Sequence, residues 1–305
     1  MHKLIVILGP TATGKTNIAT SLAYKMDGEI ISADSRQVYK GMDLGTGKDL
    51  NEYTVAEKKI PYHLIDIKKP GYEYNVFEFQ NDFLTAFNEI DSKEKQAILC
   101  GGTGLYIESV LKGYKLLNVP DNIQLRENLE TMDDEQLIKL LKSMRRLHNT
   151  SDVTERKRLI RAIEIETYYK EHPKEGEFPK IPHIIFGVKL DRKIIREKIS
   201  KRLAQRIEEG MIKEVEDLIK NGVKPEELKF YGLEYKFVTQ FICGEISKEE
   251  LYRQLNTAIH QFAKRQSTWF RRMEKNGFKI HWIDGLLNTE EKVNAIINIY
   301  NEENR

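Results

Sequence analysis

An octapeptide near the start of the chain has the residue types and spacing of a phosphate-binding loop. Its sequence, GPTATGKT, matches the pattern GxxxxGK[ST] at every fixed position. Glycines allow a backbone that turns successive N–H groups toward an anion, while Lys15 can reach phosphate oxygens and Thr16 can hold Mg²⁺. The predicted diphosphate- or nucleotide-binding residues are Gly9, Pro10, Thr11, Ala12, Thr13, Gly14, Lys15 and Thr16. The loop leaves the reaction open, since a nucleotide, a diphosphate ester or pyrophosphate would each satisfy it.

A carboxylate and a hydroxyl could act on the group opposite this anion. Asp34 follows a predicted strand, residues 29–33, and open α/β sheets bind ligands at the carboxyl ends of their strands. Facing the phosphate-binding loop, Asp34 could accept a proton from a nucleophile as a general base, and Thr11 could contact the same acceptor. Residue type alone is equally compatible with a capping or turn aspartate and a turn hydroxyl. The segment GGTGLY, residues 101–106, is weak evidence for another ligand-binding loop.

The elements around these residues predict a parallel α/β sheet. Residues 3–8 are apolar apart from Lys3, as in a strand buried on both faces, and residues 17–26 carry apolar side chains at helical spacing. A strand, a loop and a helix in this order are the expected context of a phosphate-binding loop. Further strands are predicted at residues 29–33, 62–67, 96–100, 183–190 and 279–283. Later helices are predicted at residues 193–221, 233–242 and 248–275, with another at the end of the chain.

The middle of the chain interrupts this alternation. From about residue 120 to residue 169, strand patterns give way to helical patterns rich in Leu, Lys, Arg and Glu. The sequence therefore predicts an α/β fold, with a P-loop NTPase-like parallel sheet core and an inserted all-helical domain. We assign residues 1–115 to the first part of the core, 116–182 to the insertion, and 183–305 to the second part with its C-terminal helices.

Composition excludes several classes of protein. A length of 305 residues excludes a peptide hormone or a lone small binding module. With 49 Lys and Arg against 47 Asp and Glu, and 40% apolar residues, the chain can bury a core and is not globally disordered. The two cysteines lie far apart, which argues against a disulfide scaffold or a zinc site and for a cytoplasmic location. The apolar run at residues 4–8 is too short for a membrane span or signal segment, so we expect no membrane association.

Two clusters of basic residues could bind nucleic acid. The first comprises Arg145, Arg146, Arg156, Lys157, Arg158 and Arg161. The second comprises Arg253, Lys264, Arg265, Arg271 and Arg272, beside Tyr252, Trp269 and Phe270. Such clusters suit RNA phosphates and unstacked bases, although either one alone is more often a solvated helix face or the lining of an anionic pocket. We interpret a third basic run, residues 192–206, as an exposed helix face.

The ordered set of motifs resembles the tRNA dimethylallyltransferases, also called tRNA isopentenyltransferases, over nearly the whole chain. The motifs are GPTATGKT at residues 9–16, DSRQVYKGMDLGT at 34–46, HLID at 63–66, GGTGLY at 101–106, RKRLIRAIE at 156–164 and AKRQSTWFRR at 263–272. A generic P-loop kinase would share only the first motif.

This resemblance implies a reaction and a set of site residues. A dimethylallyl group would move from dimethylallyl diphosphate to N6 of the adenosine 3′-adjacent to the anticodon in tRNA, with release of pyrophosphate. Thr11 and Asp34 would hydrogen-bond the N6 amine, with Asp34 as the catalytic base, and Mg²⁺ on Thr16 would be the cofactor. The residues assigned to tRNA binding are Asp34, Ser35, Arg36, Gln37, Thr103, Lys157, Arg158, Leu159, Ile160, Arg161, Arg265 and Gln266. The insertion would clasp the anticodon stem-loop, and we expect the protein to be a monomer.

One segment departs from the family pattern, and three other functions stay open on the residues alone. Where many members have Gly-Tyr-Arg-Gln, this chain has Gly232, Leu233, Glu234, Tyr235 and Lys236. An arginine that could assist the diphosphate is absent there, and Lys236 or Arg265 could replace it. The alternatives are a small-molecule kinase, a prenyltransferase acting on free adenine nucleotides, and a nucleotide-switched RNA-binding protein without catalysis.

Overall fold

A parallel six-stranded sheet forms the centre of the larger part of the molecule. The computed structural model describes residues 2–145, 155–172 and 178–304. Its strands are β1 (Leu4–Leu8), β2 (Gly28–Ala33), β3 (Thr54–Val55), β4 (Lys58–Lys59), β5 (Tyr62–His63), β6 (Gln96–Gly101), β7 (His183–Lys189) and β8 (Ile280–Asp284). The sheet has the order β5-β2-β6-β1-β7-β8 with every neighbouring pair parallel, while β3 and β4 form a separate antiparallel pair. All carboxyl ends of the six strands therefore lie at one edge.

Helices surround this sheet and form a separate unit between β6 and β7. They are α1 (Lys15–Met26), α2 (Val76–Ser92), α3 (Gly104–Leu111), α4 (Ile123–Glu130), α5 (Asp134–Met144), α6 (Arg156–Glu171), α7 (Arg192–Glu208), α8 (Met211–Lys220), α9 (Pro225–Leu228), α10 (Leu233–Ile242), α11 (Lys248–Lys275) and α12 (Thr289–Glu302). A short 3₁₀ helix covers Leu50–Tyr53. Because helices cover the sheet, every residue of β1, β2 and β6 is buried, which explains the continuous apolar run of β1.

The chain divides into two compact units. One consists of Met1–Gly113 and Lys180–Arg305 and contains the sheet, and the other consists of Tyr114–Pro179 and contains α4, α5 and α6. The mixed α/β fold with a parallel sheet is thus as predicted. The limits 116 and 182 predicted for the insertion fall near those of the second unit. Arg146 of the first basic cluster lies outside the described residues.

The helical unit has its own apolar core and its own charge network. Seven buried side chains form the core: Leu129, Leu137, Leu141, Leu159, Ile160, Ala162 and Ile163. Beside it, the buried carboxylate of Glu164 accepts hydrogen bonds from Arg126 and Arg161 and from the backbone N–H of Asn122. Burying a carboxylate is favourable only with such partners. Arg161 of the first cluster therefore stabilises the helical unit itself, as do Arg145, which bonds Glu166, and Arg156, which bonds Glu130.

Two predicted elements differ from the structure. The helix predicted over residues 193–221 is two helices, because Gly210, with φ 105°, breaks it in the left-handed region. The strand predicted over residues 62–67 pairs only at Tyr62 and His63, since Leu64 (φ 63°) and Asp66 (φ 57°) turn the backbone out of the sheet. The remaining strands lie where they were predicted, to within about two residues.

Candidate active site

The turn between β1 and α1 has the backbone geometry of an anion cradle. Ala12 (φ 63°) and Gly14 (φ 77°) are left-handed, and α1 begins at Lys15 without a side-chain cap. A Cβ on Gly9 would lie 3.1 Å from Thr13 Oγ1 and 3.3 Å from the Val188 carbonyl oxygen, so a side chain there would require these neighbours to shift by a few tenths of an ångström. Helix N-termini with uncapped N–H groups bind phosphate through those groups and the helix dipole.

Lys15 lies in this turn, and its ammonium group loses its proton at a lower pH than that of an ordinary lysine. Its Nζ donates to the Pro10 carbonyl oxygen at 2.8 Å. The pKa of Lys15 is lowered to about 8. Burial is the main cause and the Arg202 charge contributes, while Cys100 and Asp34 oppose the shift. A bound diphosphate would act as the counter-ion of this ammonium group.

Asp34 follows the last residue of β2, at the same sheet edge. Its Oδ1 accepts the backbone N–H of Arg36 at 2.9 Å. Burial raises the pKa of Asp34, and the Arg36 N–H and the Lys15 charge oppose that rise. A carboxylate whose pKa is raised toward neutrality is a better proton acceptor than an exposed one. Lys15 and Asp34 interact electrostatically, so the two side chains lie in one site.

Thr11 is held by two later helices. Its backbone N–H donates to Gln266 Oε1 at 2.8 Å, and Gln266 Nε2 donates to the Gly102 carbonyl oxygen at 3.0 Å. Its Oγ1 accepts a hydrogen bond from Arg202 of α7. At the neighbouring edge position, Thr103 Oγ1 accepts the Ser35 backbone N–H at 3.1 Å. The ends of β1, β2 and β6 therefore meet α7 and α11 at one place.

Arg202 is the site residue that the sequence interpretation missed. The run 192–206 was interpreted as an exposed helix face, but Arg202 reaches Thr11 and the side chain of Arg206 is 7% exposed beside Asp49. Burial lowers the pKa of Arg202 to about 10, and the Arg206 charge adds to this effect. The spacing of four residues between the two arginines, which puts both on one helix face, is the signal that could have found them.

The departure at residues 232–236 is thereby explained in part. Lys236 and Arg265 are exposed and lie over the rings of Phe237 and Phe262 respectively. Arg202 instead supplies a cation beside the phosphate-binding loop. Glu234, at the family's arginine position, has its pKa raised by burial and interacts with Arg206 and Arg202.

Four of the residues assigned to tRNA binding have buried side chains. Gln266 is buried with both amide ends engaged, and Gln37 is buried between Ser32 Oγ and the Gly47 carbonyl oxygen. Leu159 and Ile160 belong to the core of the helical unit. Burial limits what these four side chains can offer to RNA, and their part in tRNA binding stays a prediction.

The other predicted RNA-binding residues are more accessible. Ser35 and Arg36 are half-buried next to Asp34, and the Arg36 guanidinium lies 5.5 Å from the centre of the Phe230 ring. Lys157 and Arg158 are exposed on α6. Arg161 bonds Glu164 and the Val119 carbonyl oxygen, so its charge is largely committed within the helical unit.

The donor set at the start of α1 fits a hard cation held mainly by phosphate. Thr16 contributes a half-buried hydroxyl in the first turn of α1, and Mg²⁺ commonly takes one or two protein oxygens together with phosphates and water. Within the described ranges no group of three or more His, Cys, Asp or Glu side chains could hold a metal by itself. Both cysteines are free, Cys100 buried and Cys243 exposed. No helix in the described part of the chain has the length and apolar character needed to span a membrane.

Comparisons with known proteins identify the family of the chain. A sequence model of the IPP transferase family matches residues 37–273. A tRNA dimethylallyltransferase 2 of Phocaeicola vulgatus is 57% identical over 304 residues and a tRNA dimethylallyltransferase 1 of Parabacteroides distasonis 56% over 303, each comparison covering 99% of both chains.

Solved structures show the same fold. The full-length tRNA isopentenylpyrophosphate transferase of Bacillus halodurans is similar with a TM-score of 0.71 and 30% identity, over 98% of this chain and 95% of that one. A eukaryotic dimethylallyltransferase, solved acting on tRNA, shares the fold with a TM-score of 0.78 at 22% identity, over 99% of this chain and 80% of that one. Since the family pattern and close relatives cover most or all of its length, the chain belongs to the IPP transferase family, the tRNA dimethylallyltransferases.

Proposed function

We propose that this protein transfers a dimethylallyl group from dimethylallyl diphosphate to N6 of the adenosine 3′-adjacent to the anticodon in tRNA, releasing pyrophosphate. The observation that supports it most directly is that Lys15 in the anion cradle after β1 and Asp34 after β2 lie at one edge of the parallel sheet. This arrangement has a place for a leaving diphosphate and a base for the incoming amine in one site. Family membership and the names of the relatives support the same reaction.

The positively charged groups of the site would bind the diphosphate of the prenyl donor, which is the leaving group. The N–H groups at the start of α1 and the Lys15 ammonium would hold the diphosphate, and Arg202 adds a second cation within reach of Thr11. Negative charge grows on the diphosphate as the allylic C–O bond breaks, so fixed positive charge there lowers the barrier. Mg²⁺ held by Thr16 would neutralise further phosphate charge when bound.

On the acceptor side, Asp34 and Thr11 would orient the adenine amine. The N6 lone pair is delocalised into the ring, so the amine is a weak nucleophile and gains from losing its proton as the C–N bond forms. Asp34 accepts that proton, and the Thr11 hydroxyl, which already accepts from Arg202, can still donate its own hydrogen. An unpaired loop base is less costly to extrude into such a site than one in a duplex.

RNA binding is assigned to accessible residues of both units. Ser35, Arg36 and Thr103 lie beside the acceptor position, while Lys157 and Arg158 lie exposed on α6 and suit phosphate contacts. Arg265, exposed on α11, is a further candidate. That the helical unit clasps the anticodon stem-loop, and that the protein is a cytoplasmic monomer, remain predictions.

One assay tests the proposal. The purified protein is incubated with labelled dimethylallyl diphosphate and Mg²⁺, together with either unmodified tRNA or AMP. We expect label on tRNA at the adenosine next to the anticodon. Label on AMP would instead identify a nucleotide prenyltransferase, ATP turnover without prenylation a kinase, and nucleotide-dependent RNA affinity without turnover a binding protein, and each result would contradict the proposal.

A further inference from the structure

Asp34 begins a long loop that has almost no regular structure of its own. Residues 34–49, here called the acceptor loop, contain turns and a single isolated bridge between Tyr39 and Lys68. A loop of this kind is positioned by its contacts with the rigid elements around it. The contacts that hold the acceptor loop therefore decide where the Asp34 carboxylate lies.

A carboxylate from α8 binds the middle of the acceptor loop. Glu214 Oε2 accepts the backbone N–H groups of Asp43 at 2.9 Å and Leu44 at 2.7 Å, and Oε1 accepts that of Gly45 at 3.1 Å. The Tyr235 hydroxyl of α10 donates to the same Oε1 at 2.6 Å. Four donors converge on one carboxylate, and charge-assisted hydrogen bonds of this kind are roughly twice as strong as neutral ones.

A buried lysine holds the same part of the loop from the other side. The side chain of Lys48 is fully buried, and its Nζ donates to the Tyr39 carbonyl oxygen at 2.7 Å, to Asp43 Oδ1 at 2.6 Å and to Asp66. All three ammonium hydrogens thus have acceptors, as a buried cation requires. Asp43 is held both through its backbone and through its side chain, and Asp66 of the HLID motif acquires a structural role.

The clamped part of the loop connects back to the residues beside Asp34. Gln37 Nε2 donates to the Gly47 carbonyl oxygen at 3.0 Å, and Gln37 Oε1 accepts from Ser32 Oγ of β2 at 2.8 Å. A displacement of residues 43–47 would therefore be passed to the segment that follows β2.

We propose that Glu214 and Tyr235 are positioning residues that hold the acceptor loop so that Asp34 faces the incoming amine. This inference rests on the proposed function. Tyr235 lies in the segment that departs from the family pattern, and its ring packs so closely on Gly45 that a Cβ there would be 2.6 Å from Tyr235 Cζ. At this position the chain therefore has a tyrosine whose ring packs on Gly45 of the acceptor loop and whose hydroxyl bonds Glu214 of α8.

The test compares single-turnover rates of Glu214→Gln and Tyr235→Phe with those of the unmodified protein, at saturating dimethylallyl diphosphate and tRNA. Glu214→Gln puts an amide among N–H donors, and we expect the rate to fall about tenfold or more, since small misplacements of a reacting group cost up to about a hundredfold. Tyr235→Phe removes one hydrogen bond, and we expect a fall of about threefold. The Kd for dimethylallyl diphosphate should change less than twofold in both. Tyr300→Phe is the matched control, because its hydroxyl bonds Gln96 inside the core far along the chain from the loop.

A double-mutant cycle with Asp34→Asn separates positioning from general stability. If Glu214 acts through Asp34, Glu214→Gln should change the residual rate of the Asp34→Asn protein by less than about twofold. An equally large fall in both backgrounds, or an unchanged rate in the folded Glu214→Gln protein, would overturn the inference. Inactivity of the unmodified protein toward tRNA would instead count against the proposed function, so the two failures are distinguishable.

Discussion

Raising the pH from 7 to 9 should weaken the binding of dimethylallyl diphosphate about tenfold. The cause is Lys15, whose pKa is lowered to about 8, chiefly by burial. A group with that pKa is about nine-tenths protonated at pH 7 and about one-tenth protonated at pH 9. If only the ammonium form holds the diphosphate, the apparent Kd rises by the ratio of those fractions, about ten. A lysine with an ordinary pKa would keep its charge throughout this range.

The groups that face Lys15 decide how cleanly this can be measured. Arg202, with a pKa of about 10, and Cys100, whose thiol pKa burial raises to about 12, both titrate above the window. Burial raises the pKa values of the Asp34 and Glu52 carboxyls from their acidic reference values. An Asp34→Asn protein therefore serves as a control, because it removes the larger of the two carboxylate effects on the pKa of Lys15.

Isothermal titration calorimetry without tRNA provides the assay, because no transfer occurs when the acceptor is absent. Titrations at pH 7, 8 and 9 give the affinities, and at pH 8 buffers of different ionisation enthalpy report uptake of about half a proton per bound diphosphate. The Lys15→Arg protein keeps its charge and should lose both the pH dependence and the proton uptake. An affinity that is constant from pH 7 to 9, or no proton uptake at pH 8, would refute the assigned role of Lys15.

Three further expectations follow from the same structure. Asp34→Asn should lower the single-turnover rate about a hundredfold or more while the Kd for tRNA, measured by filter binding, stays within about twofold; an unchanged rate would contradict the base role. Lys157→Ala should reduce the slope of log Kd against log salt for tRNA by up to about one, whereas Arg161→Ala should chiefly destabilise the helical unit, by about 1 to 3 kcal/mol in urea unfolding, because Glu164 loses a partner. Iodoacetamide should label Cys243 and spare Cys100 in the native protein, and equal labelling by mass spectrometry would show that the core opens.

Local signals account for the parts of the fold and site that the sequence predicts well. β1, its turn and α1 follow from an apolar run, two glycines at fixed spacing and helical periodicity, all within the first 26 residues. Helix α11 covers residues 248–275, as predicted, and in the structure a capping box at Ser247 begins it. Asp34 could be placed because strand ends in a parallel sheet share an edge.

Contacts between distant segments account for what the sequence did not predict. Arg202 is separated from Thr11 by 191 positions, and its spacing of four residues from Arg206 indicates a shared helix face but not what that face contacts. Gln37 and Gln266 are polar residues in family motifs, so they were assigned to RNA, yet their amides satisfy backbone groups inside the protein. A sequence motif therefore identifies a residue that belongs to the site, but its hydrogen-bond partners are found only from the three-dimensional packing.

Burial at this site shifts Lys15 and Asp34 in opposite directions, each toward its neutral form. An anion bound in the cradle stabilises the Lys15 ammonium and so opposes the shift of Lys15, whereas it raises the proton affinity of a carboxylate near it and so adds to the shift of Asp34. In the proposed reaction, the diphosphate held by Lys15 would make Asp34 a stronger base for the N6 proton. The negative charge on the diphosphate would grow as the allylic C–O bond breaks, and the proton affinity of Asp34 would grow with it. Departure of the leaving group and removal of the proton would then be coupled through the electrostatics of this site.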